Sequence, residues 1–169
     1  MSRSRVVIAL LAVLVAILLQ TTVFGAGRIQ PLGVAPALVT LVVIGVAQEV
    51  ESEYLLLIGF TAGMLMDLIG SGTLGLWAMT LTAVAYAAGR LRGRLREGPL
   101  NVVAIVFGLT VASQFLYVLL GTLFGQGTIS EPNVLWKIVL PGVWNVILAI
   151  PVFWVLGKAF GTQRQSWAV

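Results

Sequence analysis

The stretch "GFTAGMLMDLIG", residues 59–70, places one carboxylate, that of Asp67, in an otherwise apolar run. Gly59, Gly63 and Asp67 recur every four residues, so a helix would carry them on one face, with Gly70 slightly offset. Glycines at this spacing let a neighbouring helix approach closely. A lipid-facing carboxylate would cost at least about 2.5–3.5 kcal/mol at the bilayer centre. We therefore expect a helix-packing groove at Gly59, Gly63 and Gly70, and we expect Asp67 to face protein or water.

The composition around this stretch is that of an integral membrane protein. Hydrophobic residues make up 59% of the 169 residues and charged residues only 9%, so the chain lacks the polar coat of a soluble domain. The chain contains no cysteine and no histidine. Disulfides, thiol chemistry, imidazole bases and the usual zinc ligands are thereby excluded, and we expect no cofactor and no metal site.

Glycines, prolines and charges divide the apolar sequence into runs long enough to cross a bilayer. The first run follows "MSRSR" and resembles a signal peptide, but it continues to Phe24 without a small-x-small cleavage site, so we interpret it as a retained span. The expected fold is an all-α integral membrane protein, a compact bundle of six transmembrane helices forming one domain over residues 1–169. The predicted spans cover residues about 6–24, 34–48, 54–70, 74–90, 100–124 and 136–157.

The distribution of basic residues orients this bundle. One predicted side holds two of them, Arg28 and Lys137, and the other holds eight, so we expect both termini to be cytoplasmic. The net charge of +4 does not indicate a nucleic-acid partner, because the distribution of the basic residues is explained by membrane topology. The eight are Arg3, Arg5, Arg90, Arg92, Arg94, Arg96, Lys158 and Arg164.

The cytoplasmic basic loop "GRLRGRLREG", residues 89–98, carries Arg90, Arg92, Arg94 and Arg96. It is interpreted as a topology anchor, and the alternative is contact with anionic lipid headgroups. The acidic "QEVESE", residues 48–53, would lie on the same side. It could pair with this loop or face a cytoplasmic partner, but solvation alone is enough to explain it.

Several other polar side chains fall within the predicted spans, namely Gln20, Gln114 and Asn145. They could form isolated helix-to-helix hydrogen bonds of about 0.6 kcal/mol each, or one intramembrane polar cluster or partner contact together with Asp67 and Lys137. For Asp67 we expect an ion pair or water-bridged contact with Lys137, with hydrogen bonds to Gln20 or Gln114 as the alternative.

Three segments carry a resemblance to a known family: "LLQTTVF" (18–24), "PLGVAPALVTLVVIGVA" (31–47) and "GFTAGMLMDLIGSGTLGLWAMTLTAVAYAAGRL" (59–91). Together they resemble MreD, the rod shape-determining membrane protein family, which is distantly similar to the substrate-binding components of energy-coupling-factor vitamin transporters. The last two predicted spans match the family only in length and hydropathy.

The resemblance implies a non-enzymatic scaffold of the bacterial elongation machinery, located in the inner (cytoplasmic) membrane. It would bind a MreC-like single-span periplasmic partner, act with RodA and a transpeptidase and indirectly with MreB, and so support lateral-wall peptidoglycan synthesis and rod shape. The alternative is a vitamin-binding transporter component, to which an Ala-x-x-x-Ala spacing in "AVLVA" (12–16) would correspond. An enzyme is disfavoured, because a single intramembrane acid lacks a second catalytic group.

Overall fold

Among the residues that the structure describes, six α-helices form the regular structure, together with 3₁₀ turns at Pro31–Gly33 and Arg94–Arg96. A computed structural model describes residues 3–25, 29–70, 72–127 and 133–161. The helices are α1 (Arg3–Thr22), α2 (Leu38–Val46), α3 (Ser52–Ile69), α4 (Leu76–Arg90), α5 (Pro99–Leu123) and α6 (Val134–Ala159).

Four of these helices, α1, α3, α5 and α6, are long and apolar enough to cross a membrane. The chain is therefore an all-helical membrane protein over the residues that the structure describes. α4 has 15 residues and α2 has nine, so α2 rises only roughly 14 Å, about half of the hydrocarbon thickness.

The segment before α2 explains why that helix is short. We predicted a span from residue 34, but the helix begins at Leu38. Pro36 disfavours helical geometry at the residue before it and has no N–H to donate. Irregular backbone within a membrane must be shielded by protein, and Pro36 and Ala37 are accordingly buried.

α2 lies at the centre of the bundle. All nine of its residues are buried, and it contacts each of the other five helices. Lipid tails are as apolar as these side chains, so close packing and polar contacts, rather than exclusion from water, must hold α2 in place. The outer surface is correspondingly apolar, with large exposed side chains such as Leu18, Leu57 and Ile150.

Long-range contacts group the helix ends at two opposite ends of the bundle. Arg5, near the start of α1, forms a salt bridge of 3.9 Å with Glu49, which follows α2. At the other end, Gln126 after α5 donates a hydrogen bond of 2.7 Å to the hydroxyl of Thr73 before α4. The chain thus runs back and forth between the two ends.

Candidate functional site

Asp67 binds the amino-terminal end of α4. Its Oδ2 accepts hydrogen bonds from the backbone N–H groups of Gly75 (2.9 Å) and Ala78 (3.1 Å), and its Oδ1 accepts one from Trp77 (3.1 Å). These N–H groups belong to the first turn of α4, where a helix has no internal acceptors for them. The carboxylate is only 5% exposed, so it is shielded from lipid as expected.

These three contacts also place the charge at a favourable electrostatic position. The amino end of a helix carries a partial positive charge that stabilises a carboxylate. Gly75 allows the geometry, because its φ of 99° turns the backbone through a region that other residues rarely adopt. We expected these oxygens to face Lys137, Gln20 or Gln114, and the structure corrects this: their partners are the backbone N–H groups of the next helix.

Gly59 and Gly63 form the surface on which α4 packs. A Cβ at Gly63 would lie 2.3 Å from the Cα of Ala78 and from the carbonyl oxygen of Trp77. A Cβ at Gly59 would lie 2.7 Å from the Cβ of Ala85. Such distances require backbone to move, so α3 and α4 can meet this closely only because both positions lack a side chain.

Gly70 lies outside this helix contact. It is the exposed C-cap of α3, and a Cβ there would meet the carbonyl oxygens of Met66 and Asp67 and the nitrogen of Gly72. The groove against α4 is therefore made by Gly59 and Gly63, with Asp67 one turn further on.

Two other intramembrane polar residues bind the start of α2. The Gln20 side-chain oxygen in α1 accepts a hydrogen bond of 2.9 Å from the N–H of Val39, in the first turn of α2. Asn145 in α6 donates one hydrogen bond to the carbonyl oxygen of Ala37 (2.8 Å) and another to the hydroxyl of Thr110 (3.0 Å). Asn145 and Thr110 are fully buried. They link α6, α5 and the start of α2.

The remaining members of the predicted polar group lie apart from these contacts. Gln114 is half-buried on α5, and Lys137 is exposed in the first turn of α6. The structure thus brings together Gln20 and Asn145 at α2 and places Asp67 separately at α4. The common feature is that a side chain of one helix binds the amino end of a shorter one.

Two arginines of the basic loop at residues 89–98 bind the turn that follows the carboxyl end of α2. Arg96 donates a hydrogen bond of 2.6 Å to the carbonyl oxygen of Gln48, and Arg92 donates one to that of Val50. Both carbonyls belong to the turn that follows Val46, the last residue of α2, where the negative end of the helix dipole favours a cation. α2 is therefore held by side chains of other elements at both ends.

The other two arginines of this loop are exposed. Arg90 donates a hydrogen bond of 3.0 Å to the Tyr86 hydroxyl and lies 5.3 Å from the centre of its ring. Arg94 is also exposed. Sequence reasoning missed Thr110 and the role of Arg5, which donates a hydrogen bond of 3.2 Å to the backbone of Glu49. Neither is marked by a local motif.

The polar side chains in these contacts have a structural role, which is to hold helices together. The carboxylate and the two amides engage backbone groups or a buried hydroxyl, and within the described ranges no group of three His, Cys, Asp or Glu side chains could hold a metal ion. Only one carboxylate, that of Asp67, is buried among the described residues. The observed contacts of Asp67, Gln20 and Asn145 therefore anchor helices to one another.

Comparison with known proteins gives a family. A family model described as "rod shape-determining protein MreD" matches residues 2–159, a range that covers all six helices. No curated protein and no solved structure matches the chain.

Proposed function

Because this chain belongs to the MreD family of rod shape-determining proteins, we propose that it is a non-enzymatic membrane scaffold of the machinery that elongates the lateral cell wall. The family assigns a role in rod shape determination. One structural observation supports the scaffold: the buried side chains of Asp67 and Asn145 and the partly buried side chain of Gln20 fix helices to one another. The family match also favours this function over a vitamin-transporter component.

The proposed topology has six crossings, both termini in the cytoplasm, and the bundle as one domain in the inner membrane. Contacts among Arg5, Arg92, Arg96 and the turn after α2 support it, since they gather basic residues at one end of the bundle. That end would be cytoplasmic by the positive-inside rule. α2 and α4 are short, so each would span the bilayer together with the non-helical segment that precedes it.

The proposed partner is a MreC-like single-span periplasmic protein, bound through the membrane spans and the periplasmic edge. Large apolar side chains exposed on the outer faces of α1, α5 and α6, such as Leu11, Phe115 and Ile147, offer surface for a partner's span. RodA, a transpeptidase and, indirectly, MreB would join through that partner. Proteins packed in lipid associate by close van der Waals contact, so an apolar surface suffices.

Depletion of the protein in its rod-shaped host tests this function. We expect cells to become rounded as the protein disappears, and re-expression of the wild-type chain to restore rods. Purification in mild detergent should also recover a single-span periplasmic protein, which an unrelated multi-span control should not recover. Cells that keep their shape but lose uptake of a vitamin would contradict the proposal.

A further inference from the structure

An apolar groove runs along the outer surface between α3 and α4. It has a volume of about 500 Å³ and is lined by Leu56, Phe60, Met79, Thr82, Ala83 and Tyr86. Phe60 and Met79 are about half exposed, so the groove opens toward the surrounding lipid. The small side chain of Ala83 leaves the space between the larger residues open.

A second cavity of about 420 Å³ continues the groove at one end, and the two share Leu56 and Tyr86. This cavity is still mostly apolar, but it is more polar than the groove, because Ser52, Glu53 and Arg90 contribute to its lining. Gly89 is closely packed there, since a Cβ at this position would lie 3.3 Å from the Cδ2 of Leu55 and 3.8 Å from the Ser52 hydroxyl.

Two side chains of opposite charge, Glu53 and Arg90, line this cavity. Among the described residues, Glu53 and Arg90 form no ion pair together. Arg90 is instead held against the Tyr86 hydroxyl and ring, which positions its guanidinium at the mouth of the groove. An unpaired carboxylate and a positioned guanidinium in one cavity match a ligand that carries both charges.

We propose that this groove binds one phospholipid with a zwitterionic, primary-amine headgroup of the phosphatidylethanolamine class. Arg90 binds the phosphate, Glu53 binds the ammonium group, and one acyl chain lies along the groove between α3 and α4. Guanidinium is well suited to phosphate oxygens, and a carboxylate accepts hydrogen bonds from an ammonium group.

The dimensions fit this ligand. Arg90 and Met79 are eleven positions apart on α4, which corresponds to roughly 16 Å along the helix axis. One leaflet contributes about 15 Å of hydrocarbon, so the groove and the second cavity together have the length of one leaflet. The apolar groove itself, from Met79 to Tyr86, corresponds to roughly 10 Å and holds the greater part of one acyl chain. The proposed orientation makes it the cytoplasmic leaflet.

The charge pattern separates this ligand from an anionic lipid. Phosphatidylglycerol would satisfy Arg90 but would place its headgroup beside the Glu53 carboxylate without a cation to offset it. A general attraction of anionic lipid would instead depend on any nearby arginine, including the exposed Arg94.

The test measures phospholipid binding to the purified full-length protein in detergent by native mass spectrometry. Phosphatidylethanolamine and phosphatidylglycerol are titrated separately into the wild type and into Glu53→Gln, Arg90→Gln and Ala83→Trp. Glu51→Gln and Arg94→Gln serve as matched controls, because both residues are exposed and neither lines the cavity. The thermal stability of each variant without added lipid verifies that it is folded.

The wild type should bind one phosphatidylethanolamine more tightly than phosphatidylglycerol. Glu53→Gln should weaken phosphatidylethanolamine binding about fivefold while leaving or improving phosphatidylglycerol binding, since each headgroup contact contributes about 1 kcal/mol. Arg90→Gln should weaken both lipids, and Ala83→Trp should weaken both by filling the groove. The controls should match the wild type.

Three results would overturn the proposal. They are equal affinity of the wild type for the two lipids, equal losses in Arg90→Gln and Arg94→Gln, and unchanged binding in folded Ala83→Trp. A partner span that copurifies with the wild type and is lost in Ala83→Trp, with lipid binding unaffected, would assign the groove to a protein instead.

Discussion

Asp67 lies near the carboxyl end of α3, where the helix dipole disfavours an anion, and also beside the amino end of α4, where an anion is favoured. Its two oxygens accept three backbone hydrogen bonds there. Gly63 makes this possible, because its missing side chain brings the first turn of α4 within reach. The glycine and the acid therefore act together on the same turn.

Asp67→Asn should destabilise the protein, because an amide nitrogen facing backbone N–H groups cannot accept their hydrogen bonds. Leaving a buried donor unsatisfied costs about 1–3 kcal/mol. Thermal unfolding in detergent measures the loss, and Glu51→Gln, an exposed acid to amide change, should have little effect. Adding Lys137→Gln should not restore stability; restoration would show that Lys137 is the partner of Asp67.

Gly63→Ala should destabilise the α3–α4 contact, since even one methyl group would meet the backbone of Trp77 and Ala78. The control is Gly108→Ala in α5, where a Cβ would meet nothing within 4 Å. That change should leave stability unchanged or raise it, because alanine favours helix by about 1 kcal/mol over glycine. Equal melting temperatures for the two variants would contradict the close helix approach.

Among the helices, α2 is short and buried, and side chains of other elements hold it in place. Gln20 and Asn145 bind its amino end, and Arg92 and Arg96 bind the turn after it. A helix of nine residues is marginal alone, so its stability must come from tertiary contacts.

Asn145→Ala should therefore lower stability more than Asn101→Ala. Asn145 makes two buried contacts to other elements, whereas Asn101 binds Glu97 at the surface, one helical turn away. Interhelical hydrogen bonds in membranes contribute about 0.6 kcal/mol each on average, with a maximum near 1.7. If the two variants unfold at the same midpoint, Asn145 does not stabilise the bundle more than Asn101 does.

The sequence allowed some of these features to be predicted and others not. Four-residue spacing was enough to place Gly59, Gly63 and Asp67 on one helix face. The free-energy cost of a charge in lipid then predicted that this face points into the bundle. The partner of Asp67 could not be derived, because it depends on the left-handed turn at Gly75 that starts α4. Similarly, hydropathy detects the apolar run of α2 but not its late start at Leu38, and contacts from Arg92 or Thr110 span distant parts of the chain.

On the scale of the whole molecule, the contacts at the two ends of the bundle support an alternating path through the membrane. A reporter fused after Arg94 should be active in the cytoplasm, and one fused after Gly127 should be active in the periplasm. The reverse pair of activities would contradict the proposed orientation.

We propose that the polar residues inside the bundle serve shape determination by holding the scaffold together. The most direct test compares cell aspect ratio with the amount of folded protein in strains whose sole copy is wild type or Asp67→Asn. We predict that rod shape is lost in proportion to folded protein, and that raising Asp67→Asn expression to the wild-type folded amount restores rods. Rounded cells that contain Asp67→Asn folded at the wild-type amount would contradict the claim, because Asp67 would then serve a partner directly.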